Sequence, residues 1–200
     1  MKKIDEFAQL RKLMIQEQLK ERGITDSRVL KAMAEIPREK FVPKNLENHA
    51  YNDSPLPIGF DQTISQPFIV AKMCQLLELK GDEKILDVGT GSGYQVAVLA
   101  FLVKEVISIE RIPKLAEKAK KIIKRLRYDN IKVVIGDGSK GLLEEAPFDA
   151  IVSSAVSKDI PQAWKDQLKQ KGRIVMPLKK FLGQELIKLV KNEKGFSQES

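Results

Sequence analysis

Cysteine, histidine and long apolar runs are all scarce in this sequence of 200 residues. The only cysteine, Cys74, excludes an internal disulfide, and with His49 as the only histidine there are too few soft ligands for a structural zinc site. No uncharged apolar run approaches about 18 residues, and the first residues are charged instead of forming the apolar part of a signal peptide. We therefore expect a cytoplasmic protein without a bound metal or a membrane partner.

A hydrophobic content of 42% is enough to build one substantial core, so residues 1–200 are expected to form a single domain. The formal net charge is +8, and basic residues recur at helical spacing between Arg111 and Arg127, opposite an apolar stripe. That spacing predicts an amphipathic helix with a solvated basic face. Because neither stacking aromatics nor a recognised nucleic-acid motif lies nearby, we expect no nucleic-acid partner, and we expect a monomer.

Two parts of the sequence differ in pattern. Residues 1–80 are typical of helices interrupted by proline-rich loops, whereas apolar strands and helical stretches alternate across 81–200. The strands are short, β-branched and nearly continuous in apolar character, as expected of a parallel α/β sheet covered on both faces. The predicted strands are Lys84–Val88, Glu105–Glu110, Ile131–Asp137, Phe148–Ser154, Gly172–Leu178 and Glu185–Val190.

A proline-rich segment, residues 51–67, precedes the sheet. Its prolines and glycine predict a structured loop and not a helix. Pro67 suits the first turn of a helix that we expect to reach about Leu79. The hydroxyls of Thr63 and Ser65 are therefore predicted to lie just before a helix N-terminus, where backbone amides attract anions.

The sharpest chemical signal is a glycine-rich turn that follows the first strand of the sheet. Asp87 ends the strand, and Gly89, Gly91 and Gly93 follow at spacings of two, which lets a ligand approach the backbone closely. The turn lacks the lysine of a phosphate-binding loop, and a phosphate would be repelled by the preceding carboxylate. The ammonium group on the methionine part of S-adenosylmethionine would be attracted by it.

The next two strands end in acidic residues as well. Glu110 closes the second strand, where a carboxylate can accept hydrogen bonds from both hydroxyls of a ribose. Asp137 and Gly138 close the third strand, where a carboxylate and a free backbone amide can contact the edge of an adenine. Each acidic residue alone could be a helix cap, but three at successive strand ends favour a nucleoside site.

Four stretches of the sequence together carry a resemblance to a known family. They are LPIGFDQTISQP (56–67), ILDVGTGSGYQVAVLA (85–100), ISIERIPKLAEKA (107–119) and VVIGDGSKG (133–141). They resemble protein-L-isoaspartate O-methyltransferases, and the similarity runs from about Arg11 to Val190. The loop containing Gln-Thr-Ile-Ser is peculiar to that family, whereas the glycine turn is shared by many methyltransferases. The segments VLKAMAEIPREKFVP (29–43) and GRIVMPL (172–178) belong to the same resemblance.

The resemblance implies a Rossmann-like class I methyltransferase, with a mostly parallel, doubly wound sheet and an N-terminal helical addition that closes over the cofactor. It implies S-adenosyl-L-methionine as cofactor and S-adenosyl-L-homocysteine as product. The implied substrates are damaged proteins or peptides with isoaspartyl or D-aspartyl residues, whose methyl ester collapses to a succinimide. Ser65 is the implied active-site serine. The implied cofactor-binding residues are Thr63, Ile64, Ser65, Asp87, Gly89, Thr90, Gly91, Ser92, Gly93, Glu110, Arg111, Asp137 and Gly138.

The chemistry of a carboxylate substrate requires little from the protein. A carboxyl group with a pKa of about 4 is already ionised at neutral pH, so it can attack a sulfonium methyl group without a general base. The protein must align the two groups and exclude water. The hydroxyl of Ser65 is suited to hold one carboxylate oxygen, although from spacing alone it could simply be a capping hydroxyl.

Other classes of protein are less consistent with the sequence. Amino-group methyltransferases commonly place an Asn/Asp-Pro-Pro-aromatic motif after the fourth strand, where this chain has Ser153-Ser154-Ala155-Val156. Cytosine C5 enzymes need a nucleophilic cysteine in a loop, whereas Cys74 falls in an apolar helical pattern typical of a core. The alternatives are a methyltransferase that acts on RNA or a small molecule and a non-enzymatic nucleoside-binding protein.

The resemblance also has two departures. The segment SSAVSKDIP (153–161) differs from the threonine and run of alanines or glycine that are usual after the fourth strand. Family members continue beyond the position of Phe196 into a last strand with a Phe-Val-Pro-Leu sequence, and this chain reaches Ser200 without it. Either another segment occupies that position in the sheet or the sequence is shortened.

Overall fold

The fold is given by a computed structural model, which describes residues 2–181 and 183–199. The α-helices are α1 (Lys2–Leu13), α2 (Ser27–Glu35), α3 (Pro67–Leu76), α4 (Tyr94–Leu102), α5 (Pro113–Arg125) and α6 (Gln162–Asp166). A π-helical segment, Met14–Leu19, continues α1, and 3-10 helices lie at Lys20–Arg22, Arg38–Phe41, Lys44–His49, Gly138–Lys140 and Leu143–Glu145. The strands are β1 (Leu56–Gly59), β2 (Gln62–Ile64), β3 (Lys84–Val88), β4 (Glu105–Glu110), β5 (Ile131–Ile135), β6 (Phe148–Ser153), β7 (Leu168–Lys180), β8 (Gly183–Asn192) and β9 (Gly195–Glu199).

Seven strands form one sheet in the order β5-β4-β3-β6-β7-β8-β9, and β1 pairs with β2 in a separate hairpin. Strands β3 to β7 pair in parallel with one another, whereas the pairs β7–β8 and β8–β9 are antiparallel. The chain leaves β3 toward β4 and later returns to the other side of β3 with β6, so the strand order switches there. Ligands of open α/β sheets bind at such a switch point, beyond the carboxyl ends of the strands. The predicted Rossmann-like fold is confirmed.

The predicted strand boundaries hold best in the middle of the sheet. Strands β3 and β4 begin and end at the predicted residues, and β5 and β6 end slightly earlier than predicted. Strands β7 and β8 are longer than predicted because they continue as an antiparallel hairpin as far as the pair Lys180 and Gly183. The residues of this extension include charged side chains. The prediction relied on apolar residues and so ended the strands before the backbone pairing ends. The sheet position beyond β8 is occupied by β9.

The two faces of the sheet bury different apolar clusters. Successive residues of a strand point to opposite faces, so Ile85 packs with the cluster that contains α3, α4 and the N-terminal helices, while Leu86 packs with the cluster around Trp164. The same alternation occurs at Val106 and Ile107 in β4. Both faces of the sheet are therefore covered, as the continuous apolar strands predicted.

The N-terminal helices are tied to the rest of the chain by backbone caps and long polar contacts. Asp26 caps α2 by accepting hydrogen bonds from the backbone N–H groups of Arg28 (2.8 Å) and Val29 (3.2 Å). The guanidinium of Arg28 then donates to the carbonyls of Leu79 (2.7 Å) and Leu102 (2.5 Å), beyond the end of α3 and at the end of α4. Within the described residues, no helix combines the length and apolar character needed to cross a membrane.

Candidate active site

A narrow cleft lies where the glycine-rich turn after β3 faces the segment between β2 and α3. We call residues 56–66, which include the β1–β2 hairpin and Ser65, the Ser65 segment. The cleft brings together residues that the sequence predicted from two separate motifs. Its lining residues are Thr63, Ile64, Ser65, Val70, Gly89, Thr90, Gly91, Ser92, Tyr94, Gln95 and Ser154.

Two glycines of the turn show why side chains are excluded there. Gly91 has a φ of 53°, and a Cβ atom added to it would lie 3.5 Å from Cδ1 of Ile58 in the hairpin. Gly93 has a φ of 87°, and an added Cβ atom would lie 3.3 Å from Cβ of Ala119 in α5. Glycine adopts these left-handed conformations without strain, so the turn can approach both the hairpin and α5 closely. The hairpin therefore lies directly over the glycine turn.

A polar network lies beneath the glycine turn, and we call it the floor network. Asp87 accepts hydrogen bonds from Nε2 of Gln95 (2.9 Å) and from Oγ of Ser108 (2.7 Å), and the hydroxyls of Ser108 and Thr90 are 2.5 Å apart. Burial raises the pKa of Asp87 to about 6, although the bonds from Ser108 and Gln95 oppose the rise. The Asp87 carboxylate is fully buried and is not among the lining residues of the cleft, whereas its partner Gln95 is. The predicted contact of Asp87 with the cofactor stays a prediction.

Glu110 holds the glycine turn from the end of the neighbouring strand. One carboxylate oxygen accepts a hydrogen bond from the backbone N–H of Gly91 (2.8 Å), and the other accepts one from Ile112 (2.9 Å). Each oxygen can accept a further hydrogen bond, so both remain chemically able to bind a ribose hydroxyl. The next residue, Arg111, is exposed. Their predicted contacts with the cofactor stay predictions.

The third strand end is more exposed. Asp137 accepts hydrogen bonds from the backbone N–H (3.0 Å) and hydroxyl (2.7 Å) of Ser139, which lower its pKa and make it the cap of a 3-10 turn. Gly138 packs so closely that an added Cβ atom would lie 2.4 Å from Cγ1 of Val88. Its carbonyl accepts a hydrogen bond from the indole of Trp164 (2.8 Å). The cap and the predicted adenine contact are compatible, because a carboxylate has several acceptor sites.

Ser65 is half-buried in the cleft, and its hydroxyl makes no hydrogen bond to another described group. It is therefore available to a ligand. Ile64 is buried and Thr63 exposed beside it. The first turn of α3 already has an anionic partner, because the backbone N–H of Phe68 donates to the carboxylate of Asp53 (3.4 Å). This backbone N–H of the helix terminus is thus paired within the protein, and the predicted role of the Ser65 hydroxyl toward a substrate stays a prediction.

Arg38 fixes the position of the Ser65 segment, and the sequence did not predict this role. The side chain is fully buried, and its guanidinium donates to the backbone carbonyls of Ser65 (2.7 Å) and Ala50 (2.7 Å). It also lies over the ring of Tyr94, with Cζ 4.8 Å from the centroid. Desolvation lowers the pKa of Arg38, but an arginine with such a high ordinary pKa stays charged. One cation therefore connects the two sides of the cleft.

Two residues considered as alternative catalytic groups lie outside the cleft. Cys74 is buried in α3, and burial raises the pKa of its thiol, so the thiolate nucleophile of a cytosine C5 enzyme is disfavoured. The predicted core position of Cys74 is confirmed. His49 is exposed at the end of a 3-10 helix and is not among the lining residues of the cleft.

Comparison with known proteins shows which family this chain resembles most consistently over its length. The family model for protein-L-isoaspartate(D-aspartate) O-methyltransferase matches residues 9–200. A protein-L-isoaspartate O-methyltransferase of Methanoculleus marisnigri is 52% identical over 183 residues, covering 92% of this chain and 83% of that relative. A solved protein-L-isoaspartate O-methyltransferase is 31% identical with a TM-score of 0.81, covering 92% of this chain and 60% of that one. Another, from Plasmodium falciparum in complex with S-adenosyl-L-homocysteine, is 28% identical with a TM-score of 0.80, covering 94% and 92%.

Proposed function

The chain belongs to the protein-L-isoaspartate(D-aspartate) O-methyltransferase family, and we propose from its cleft how it performs that reaction. The enzyme transfers a methyl group from S-adenosylmethionine to the free carboxylate of isoaspartyl residues, and of D-aspartyl residues, in damaged proteins and peptides. What supports this function most directly is the shared cleft, which is lined by the glycine turn on one side and by Ser65 on the other.

Several features of the cleft fit the cofactor. The glycine turn allows close approach to its backbone, and the amide oxygen of Gln95 is buried without a hydrogen-bond partner among the described residues. Such an atom suits a ligand that brings its own donor. We propose that the cofactor contacts Thr63, Ile64, Ser65, Gly89, Thr90, Gly91, Ser92, Gly93, Glu110, Arg111, Asp137 and Gly138, with Asp87 acting from beneath.

In the proposed mechanism, the protein positions groups and does not transfer protons. S-adenosylmethionine, when bound, supplies an electrophilic methyl group. The hydroxyl of Ser65 donates a hydrogen bond to one oxygen of the substrate carboxylate and so directs the other oxygen toward the reaction centre. Arg38 holds the backbone of Ser65 in place. The hairpin over the glycine turn keeps water away from the reacting groups.

The substrate preference can be tested with a pair of isomeric peptides. An isoaspartyl peptide should be methylated far faster than its normal aspartyl isomer, because the extra backbone methylene moves the carboxylate relative to the chain. A filter-binding assay for transferred radioactive methyl groups measures both, with an RNA substrate in parallel. Equal rates on the two peptides, or methylation of the RNA alone, would contradict the proposed substrate.

We also propose that residues 1–200 act as one domain, with residues 1–80 supplying the helices and substrate loop and residues 81–200 the cofactor-binding core. An apolar cluster that contains both Phe7 and Val175 supports this organisation. The enzyme is proposed to work as a monomer in the cytoplasm, without a nucleic-acid or membrane partner. Sedimentation at several protein concentrations tests the monomer, and a mass that rises with concentration would contradict it.

A further inference from the structure

The two polar atoms of the Gln95 side-chain amide, Nε2 and Oε1, differ in their hydrogen-bond partners. Gln95 lies in the first turn of α4, is 7% exposed, and lines the cleft beside the glycine turn. Nε2 donates to Asp87 at 2.9 Å, whereas Oε1 is buried and accepts no hydrogen bond from any described residue. Buried acceptors in folded proteins are nearly always paired, so this oxygen is placed for a donor that the protein itself does not supply.

The floor network determines which end of the amide is left for a ligand. An ionised carboxylate only accepts hydrogen bonds, so Asp87 must face the NH2 end of Gln95 and turn its oxygen away. Ser108 donates to the other carboxylate oxygen at 2.7 Å and is itself in contact with the hydroxyl of Thr90 at 2.5 Å. Because the carboxylate is held from both sides, the orientation of the Gln95 amide is fixed before any ligand arrives.

We propose that Oε1 of Gln95 accepts a hydrogen bond from the ammonium group of the cofactor's methionine part, and that Asp87 is a positioning residue that orients this amide. The assignment rests on the proposed function. The sequence predicted that Asp87 attracts the ammonium group, and in this proposal the amide of Gln95 makes the contact. The buried carboxylate contributes attraction for a cation from behind, and the neutral amide provides the contact.

Two ligands distinguish a contact between Gln95 and the ammonium group from a general structural role of Gln95 in the cleft. S-adenosylhomocysteine carries the ammonium group, whereas 5′-methylthioadenosine has the same adenosine and sulfur without the amino acid. Titration calorimetry should show that Gln95→Met, which keeps the length of the side chain, weakens S-adenosylhomocysteine binding by about 10- to 100-fold, the loss expected for a hydrogen bond to a charged group. Binding of methylthioadenosine should stay close to that of the wild type.

Asp87→Asn provides an independent variant. The asparagine oxygen can keep the hydrogen bond from Ser108, which turns its NH2 group toward Oε1 of Gln95. The Gln95 side chain should then turn its own NH2 group toward the ligand and repel the ammonium group. The same selective loss of S-adenosylhomocysteine affinity is expected. Gln75→Met is the matched control, because that amide bonds backbone groups near Asp26, outside the cleft. It should leave both affinities unchanged.

The possible outcomes distinguish a failure of the Gln95 assignment from a failure of the proposed function. Selective weakening of S-adenosylhomocysteine in Gln95→Met and Asp87→Asn supports the assignment. Equal weakening of both ligands would make Gln95 a purely structural residue, and unchanged affinities would remove it from the site, so either result overturns the assignment while the proposed function stands. A wild-type protein that binds neither ligand would overturn the proposed function together with the assignment.

Discussion

The floor network and the Ser65 segment border the same cleft but are held in different ways. In the floor network, side chains from β3, β4, α4 and the glycine turn bond to one another. The Ser65 segment is held by its backbone, through the carbonyl that accepts a hydrogen bond from Arg38. The first arrangement determines which end of the Gln95 amide faces the cleft, and the second determines the position of the Ser65 hydroxyl. Substitutions in the two regions should therefore separate cofactor affinity from turnover.

The largest effect on turnover is expected at Ser65. Ser65→Ala should lower kcat by roughly 10- to 1,000-fold, the loss typical of removing one donor that acts in the transition state. Cofactor affinity should hardly change. Steady-state kinetics with an isoaspartyl peptide and calorimetry with S-adenosylhomocysteine measure the two quantities separately.

His49→Gln is the control for Ser65→Ala, because an exposed histidine outside the cleft is not expected to act as a base. It should keep full activity. If instead Ser65→Ala stayed active while His49→Gln lost activity and remained folded, a proton-transfer mechanism would have to replace the positioning mechanism.

Arg38→Met tests whether the Ser65 segment depends on its buried cation. The carbonyls of Ser65 and Ala50 would lose their donor, so the free energy of unfolding should fall by about 2–4 kcal/mol. Below the lowered Tm, kcat should fall while the Kd for S-adenosylhomocysteine changes less. Arg38→Lys should not restore kcat, because one ammonium group cannot reproduce the planar fork of guanidinium donors. Full rescue by lysine would mean that only the charge matters.

Asp87 should make the stability of the floor depend on pH. Burial raises its pKa from 3.8 to about 6, so between roughly pH 4 and 6 the folded protein keeps a proton that the unfolded chain releases. The free energy of unfolding should therefore decrease as pH rises through this window, by at most about 3 kcal/mol, and level off above it. Urea unfolding of the wild type and Asp87→Asn at several pH values isolates this contribution. A difference between the two proteins that does not vary with pH would contradict the raised pKa.

The smallest effects on cofactor affinity are expected at Glu110, the last residue of β4, and at Asp137, just after β5. Glu110→Ala should weaken S-adenosylhomocysteine binding by about 1–3 kcal/mol, because a buried carboxylate that also holds the backbone of Gly91 is lost. Asp137→Ala should have a smaller effect, since that carboxylate is exposed and bonds locally to Ser139. Calorimetry of both variants ranks them. A larger loss for Asp137→Ala would show that exposure in the free protein is a poor guide to ligand contact.

The sequence predicted the sheet well and the burial of its polar residues poorly. Strands β3 and β4 are continuous apolar runs, and such runs are bounded clearly enough to place both ends. The three strand-end carboxylates look alike in sequence, yet Asp87 is buried and Asp137 is exposed. Burial depends on which helix packs over each strand end, and that is decided by contacts between distant residues.

Arg38 and the β1–β2 hairpin show two further limits. Arg38 lies between a proline and two charged residues, a context that predicts solvent exposure, and only long-range packing against Tyr94 buries it. The hairpin turns at Phe60 and Asp61, both with a φ of 55°, instead of at the glycine or asparagine that usually signals such a turn. A place for Gln95 in the cleft could have been predicted from the sequence, because the residue lies just after the glycine turn, in the first turn of α4.

The hydrogen bond from Trp164 to Gly138 gives the protein an optical property. Trp164 is the only tryptophan in the sequence and is 3% exposed, so its emission comes from one shielded indole. Its Nε1–H group donates to the carbonyl of Gly138 at 2.8 Å, in the turn proposed to receive the adenine ring. Occupation of that turn therefore alters the immediate surroundings of the sole indole fluorophore. The chain thus carries one intrinsic fluorophore beside the turn that is proposed to bind the nucleoside.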